Sequence, residues 1–379
     1  MAVAAFPTAT AGEIRGPVAA VAAITPARAY FAVLSVLSVG AFVFGVENRF
    51  SADNLLPVAP PVDWIPPLSA RAWSEAFTIH QQDPLFAACG GAVSLGQFKI
   101  MYWWEWLRQA SLVALAIGVT IGFYGASVWP RYRFVLSRLA SLACLVLVYW
   151  AVRAVGEVAV TNVAALSSFN VGQYRHAIDV TFASVLVAGV LWSAVSPPRP
   201  AAAVLPHRMN RSEWLWIALI LADICFGALF ATRNATASWP TLPGYEGQLF
   251  PPFGHLFSYA PWWLNFTFNP YTIQLVHRVL SAALWMAALW QLVAAMLRSE
   301  RSPRAVVRFL MITAQMLTGI ATLVLAVPAV LSVVHQLGAI CLLAASLVFL
   351  QSEAMTQRSR FASMSGFQGN RTRSRAASY

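Results

Sequence analysis

Long apolar stretches alternate along this chain with segments bearing Pro, Arg and aromatic residues. Eight stretches, roughly 30–47, 109–128, 134–156, 177–196, 213–231, 274–297, 305–326 and 330–350, lie near the ~20 residues that cross a bilayer as a helix. They are too long and too continuous for barrel strands. Only helices or closed barrels satisfy their backbone in lipid. The pattern therefore predicts an all-α, polytopic membrane protein with eight transmembrane helices. Between the first two stretches, IPPLSARAWSEAFTIHQQDPLF places Trp73, Phe77 and Ile79 at amphipathic spacing and predicts a short interfacial helix. The run FKIMYWWEWLRQ, 98–109, reads as an interfacial aromatic belt at a helix mouth. Two long aromatic loops, 48–108 and 232–273, read as packed caps, being too aromatic for disorder.

The order of long loop, helix, helix, short turn and helix occurs twice, which suggests an internal duplication. The expected organisation is a tail or residual targeting segment over 1–29, a first four-helix half over 30–196 and a linker over 197–212. A second four-helix half over 213–350 and a basic tail over 351–379 complete it. The two halves read as pseudo-symmetric four-helix bundles.

Composition agrees with a membrane protein: of 379 residues, 59% are hydrophobic and 10% charged. The formal net charge of +11 is mostly Arg, spread over connections between helices, which argues against a nucleic-acid partner. Arg131, Arg133 and Arg138, then Arg199, Arg208 and Arg211, then Arg298, Arg301, Arg304 and Arg308, and the tail arginines Arg358, Arg360, Arg371, Arg373 and Arg375 all fall on one side. The positive-inside rule makes that side cytoplasmic or matrix-facing, with the aromatic loops opposite. Cys144, Cys225 and Cys341 lie in apolar helices and read as small core residues, and Cys89 stands alone in a loop. The Ala-rich N-terminus, with Arg15 and Arg28, weakly resembles an organelle transit segment.

The chemistry-bearing residues are few. His277 and Arg278 enter one apolar helix at the end of PWWLNFTFNPYTIQLVHR, and His335 enters another in AVLSVVHQLGAICLL. Two histidines at matching depth on two membrane helices are what a bis-imidazole haem iron needs. The plainer reading is two lone polar residues, each satisfied by a neighbour, although intramembrane His is usually functional. Superposing the halves sets Arg108 and Asp179 at the positions corresponding to the two histidines. Neither is a normal haem ligand; His176, one turn from Asp179, is a conceivable shifted one. Arg108 and Asp179 are expected to pair across the first half, with Glu105 able to share the guanidinium. Snorkelling of Arg108 to the interface is the alternative.

Several runs resemble heme A synthases of the mitochondrial and α-proteobacterial type. They are IPPLS at 65–69, QQ at 81–82, FKIMYWWEW at 98–106, PWWLNFTFNPYTIQLVHR at 261–278, Gln315 with Gly319, and His335-Gln336. The resemblance covers about residues 30 to 350. It implies an eight-helix bundle whose second half binds one b-type haem through His277 and His335, with Arg278 beside it. The first half of such proteins holds heme O, whose ring methyl is oxidised to the formyl of heme A, and Glu105 matches an important carboxylate there.

The departures gather in that first half. The family's E-x-x-H-R is Glu105-Trp106-Leu107-Arg108-Gln109 here, and its later histidine is Asp179. GVENRFSADNLL keeps only Arg49 and Leu55 of its pattern, and TASWP at 236–240 replaces a Tyr-Asn-Thr-Phe-Pro element. The expectation is therefore one haem b in the second half, no second haem in the first, and Glu105 as a catalytic position of doubtful use. A non-catalytic accessory or assembly subunit of the mitochondrial respiratory chain ranks first, in contact with lipid, haem and respiratory-complex subunits such as those of cytochrome oxidase. Active heme A synthase ranks second. A membrane electron carrier ranks third, because crossing ~30 Å of hydrocarbon needs a further redox centre. The mitochondrial inner membrane, with the Arg-rich loops in the matrix, is preferred over a bacterial plasma membrane.

Overall fold

The computed structural model describes residues 26–50, 63–82, 94–164, 172–195, 211–232, 241, 244–245, 247–248, 251–325, 328 and 330–350. The expectations for the N-terminal tail, Cys89, TASWP, most of the linker and the basic tail lie outside them, as do those for the side chains of Arg49 and His176. The helices are α1 (Pro26–Phe50), α2 (Ala70–Gln81), α3 (Leu95–Val128), α4 (Arg133–Ala164), α5 (Gly172–Val195) and α6 (Arg211–Thr232). They continue with the single turn α7 (Phe253–Leu256), then α8 (Pro270–Leu297), α9 (Pro303–Val324) and α10 (Val330–Leu350). Eight are long and apolar enough to span a membrane. Among the described residues the only extended pairing is an isolated bridge between Tyr245 and Gln248.

Two sequence readings are corrected at the aromatic end of the first half. The run 98–109 is not loop but part of α3, which starts at Leu95 under a capping box. The Ser94 hydroxyl accepts from the Gln97 backbone N–H at 3.3 Å, and Gln97 Oε1 accepts from the Ser94 N–H at 2.9 Å. Charged and ring-bearing residues lower local hydropathy without stopping a helix, so the span looked shorter than it is. The interfacial helix α2 is present, but Ile79 is 62% exposed. The inward face runs Trp73, Phe77, His80, which is true helical spacing, and packs on Phe98 and Tyr102 of α3.

In the first half α1 packs on α3 and α5, α3 on α4, and α4 on α5. In the second, α6 packs on α8 and α8 on α9. Leu342 and Leu343 of α10 share a core there with Trp216 and Ile217 of α6 and Leu284 and Ala288 of α8. Helices α5 and α6 join the halves, and the seam core includes Phe42, Val187, Leu229, Ile273 and Ile340. Cys144 and Cys341 are exposed instead of filling a core.

Arg308 departs from its expected place among the loop charges. It is 1% exposed, near the start of α9, and its guanidinium reaches Glu213 of α6 and, at 2.9 Å, the Gln291 Oε1 of α8. The rings of Trp216 and Phe349 cover it at 4.7 and 5.2 Å. Removing one member of a buried pair costs about 3–5 kcal/mol, whereas replacing both with apolar groups can be neutral. Arg308→Met alone should therefore lower the thermal unfolding midpoint in detergent sharply, and adding Glu213→Leu should recover most of the loss.

Candidate functional site

The approach to α8 is held by two asparagines that the sequence reading passed over. Asn265 and Asn269 are fully buried. Asn265 Oδ1 accepts from the Tyr259 N–H at 3.0 Å, and its amide donates to the Tyr259 carbonyl at 2.8 Å. Asn269 caps α8, accepting from the Tyr271 N–H at 3.0 Å and donating to the His255 carbonyl at 2.7 Å. Pro270 then sits at the first helical position, where its missing N–H costs nothing. Phe268 is buried, but Trp262 and Trp263 are exposed, as in an interfacial belt more than a packed cap. His277 lies two turns along α8, ~10 Å from its start. Arg278 turns back to the loop, donating to the Thr241 carbonyl at 3.1 Å and covering the Tyr245 ring at 4.8 Å.

His277 Nδ1 lies 2.8 Å from Asp223 Oδ1 on α6. Both Asp223 oxygens accept from the Ser281 hydroxyl, at 3.1 and 3.0 Å, so α8 supplies both contacts to that carboxylate, one turn apart. Phe230 stacks on the imidazole with ring centroids 5.9 Å apart. Gly227 lies beneath it: a Cβ there would sit 3.0 Å from His277 Cε1.

His335 repeats the plan on α9 and α10. Its Nδ1 lies 3.3 Å from the Thr318 hydroxyl, and its backbone carbonyl accepts from Gln315 Nε2 at 2.8 Å. A Cβ on Gly319 would sit 2.7 Å from its Cε1. Asp223 and Gly227 on α6 thus correspond to Gln315 and Gly319 on α9, each a polar anchor followed four residues later by a glycine under an imidazole. His277 and Asp223 lie within electrostatic reach of His335.

This arrangement fits a haem held by two imidazoles. Each Nδ1 lies near an oxygen, 2.8 Å from Asp223 and 3.3 Å from Thr318, which leaves Nε2 for a metal. Of the supporting residues, the sequence reading had only Gln315 and Gly319, through resemblance. The available signal for the rest was an acid inside an apolar helix, Asp223, with the same spacing to its glycine.

The corresponding positions of the first half do not fit two-imidazole ligation. Glu105 is 3% exposed and receives a bidentate contact from Arg108 Nε, at 2.8 Å, and Nη2, with Gln109 Nε2 donating at 3.0 Å. Asp179 accepts from the Tyr149 hydroxyl at 2.8 Å. The expected Arg108–Asp179 pair is therefore replaced by Arg108–Glu105. A partner one turn away on the same helix is met without closing the width of the bundle.

The glycines give a direct test of the second-half geometry. Gly319→Ala would drive a methyl into the His335 ring and should abolish any low-spin haem absorption of the purified protein. Gly227→Ala, with a slightly longer approach, should weaken it.

Compared with known proteins, residues 60–347 match the family model described as cytochrome oxidase assembly protein. A heme A synthase of Agrobacterium fabrum is 34% identical over 326 residues, covering 83% of this chain and 85% of that protein. The heme A synthase of Rhizobium meliloti is 31% identical over 346 residues, 87% of each chain. That of Methylobacterium radiotolerans is 30% identical over 320 residues, 83% of this chain and 87% of its own. With these likenesses spanning both halves, the chain is a multi-pass membrane member of the heme A synthase family.

Proposed function

We propose that the chain is a heme A synthase-type oxidoreductase that holds one b-type haem between His277 and His335. The observation that carries this is the paired imidazole seat in a chain 34% identical to a heme A synthase over most of its length. The relatives' names favour heme A synthesis over the accessory role first expected from sequence. A bound haem b would supply one-electron redox chemistry. Asp223, Ser281 and Gly227 hold one axial ring for it, and Thr318, Gln315 and Gly319 the other. Arg278 braces the outer loop over the site. Glu105, held rigidly by Arg108 and Gln109, is the carboxylate proposed to act in the first half.

A second reading has a specific observation behind it. Arg108 and Asp179 are taken up by Glu105 and Tyr149 where two imidazoles would be needed. On that reading the chain keeps its haem b and serves a respiratory complex without turnover. The compared relatives are bacterial, which favours a bacterial plasma membrane over the mitochondrial inner membrane.

Expression in a host that makes heme O but lacks its own heme A synthase separates the readings. Heme A in the extracted membranes, identified by absorption and mass, supports the enzyme. Unconverted heme O beside one haem b per chain supports the second reading. His277→Ala and His335→Ala should each remove the low-spin b spectrum, and an unchanged spectrum in both overturns the ligation.

A further inference from the structure

The two imidazoles have the same seat but different anchors. His277 meets a carboxylate, Asp223, whereas His335 meets a neutral hydroxyl, Thr318. Asp223 lies at mid-depth in α6, a helix otherwise apolar around it. A carboxylate placed there is unfavourable unless satisfied or functional. Its contacts are Ser281, donating to both oxygens, and His277 Nδ1 at 2.8 Å. Ser281 stands one turn beyond His277 on α8, so the same helix presents the ring and steadies its acceptor.

The wider charge arrangement sharpens this. Arg278, the adjacent cation, is turned to the loop, where it donates to Thr241 and stacks on Tyr245. The other buried charge pair of α6, Glu213 with Arg308, lies ten residues before Asp223, ~15 Å along the helix.

We infer that Asp223 is a positioning residue that holds the Nδ1 proton of His277 and makes it the more electron-donating of two unequal axial ligands. This rests on the haem reading above. A carboxylate accepting from the distal ring nitrogen fixes the tautomer and raises ligand basicity. More donation favours ferric over ferrous iron, so the carboxylate holds the haem potential down. Among the described residues the Nδ1 of His335 meets the neutral Thr318 hydroxyl in place of a carboxylate. The ligand pair is then polarised toward α6 and α8.

The test compares wild type with Asp223→Asn, Asp223→Glu and Ser281→Ala in the purified, haem-loaded protein. Potentiometric titration and the electron paramagnetic resonance of the ferric low-spin haem are the readouts. Asp223→Asn keeps the size and the Ser281 contact but removes the charge. It should shift the ferric-to-ferrous preference about tenfold, which for a one-electron couple raises the potential by about 59 mV. Its g-values should move toward those of a neutral bis-imidazole haem. Asp223→Glu should restore most of both, and Ser281→Ala should shift the potential by less. A haem retained in Asp223→Asn with unchanged potential and g-values overturns the inference while leaving the haem reading standing. If Asp223→Asn holds no haem, Ser281→Ala decides: a shifted potential supports the assignment and an unchanged one overturns it. A wild-type protein without low-spin haem overturns the haem reading, and this inference with it.

Discussion

The second half depends on two imidazole rings pressed onto glycines. A ring this close to a neighbouring backbone needs a residue with no Cβ, which Gly227 of α6 and Gly319 of α9 provide. The glycine lets the helix approach, and the polar group four residues earlier then reaches the same ring or its backbone. Position and orientation of each histidine are thus set by a neighbouring helix, not by its own. Loose intramembrane histidines would have many rotamers; these have contacts on the ring face and at Nδ1.

The first half answers the same constraint differently. Charges in a membrane helix must be paired or hydrogen-bonded, since an unpaired one is strongly unfavourable in hydrocarbon. Glu105, Arg108 and Gln109 close such a cluster within a single turn of α3, and Tyr149 of α4 serves Asp179. Local pairing wins because it needs no precise helix–helix distance. One half is therefore organised by interhelical seats and the other partly by contacts within a helix.

How much of this was legible in the sequence follows from the range of the interactions. Spans came through from hydropathy because lipid selects twenty-residue apolar runs. The start of α3 was missed because its cap, Ser94 and Gln97, carries the boundary while the aromatic run mimics a belt. His277 and His335 stood out as rare intramembrane groups. Asp223 did not, because its meaning is its distance to a residue fifty-four positions later. Arg308 was counted with the loop charges because a sequence shows its neighbours Arg301 and Arg304, not Glu213 on another helix. The Arg108 partner was chosen by symmetry between halves, a weaker guide than the closeness of residues three apart on one helix.

Helix α6 ties these observations together. It carries Glu213 near one end, then Asp223 and Gly227 two to three turns and more along the same helix. Glu213 binds Arg308 of α9, and Asp223 binds His277 and Ser281 of α8. Gln291 of α8 joins the same Arg308, so α8 and α9 are both pinned to α6 at the Arg-rich end. A slide of α8 along α6 by one residue, ~1.5 Å, would part Gln291 from Arg308 and unseat the imidazole from Asp223 and Gly227. The position of His277 is therefore fixed at two levels along α6. With α9 held by Arg308 and bearing Gly319, the His335 seat is set against the same reference. Both imidazole seats are then referred to one helix acting as the ruler for two others.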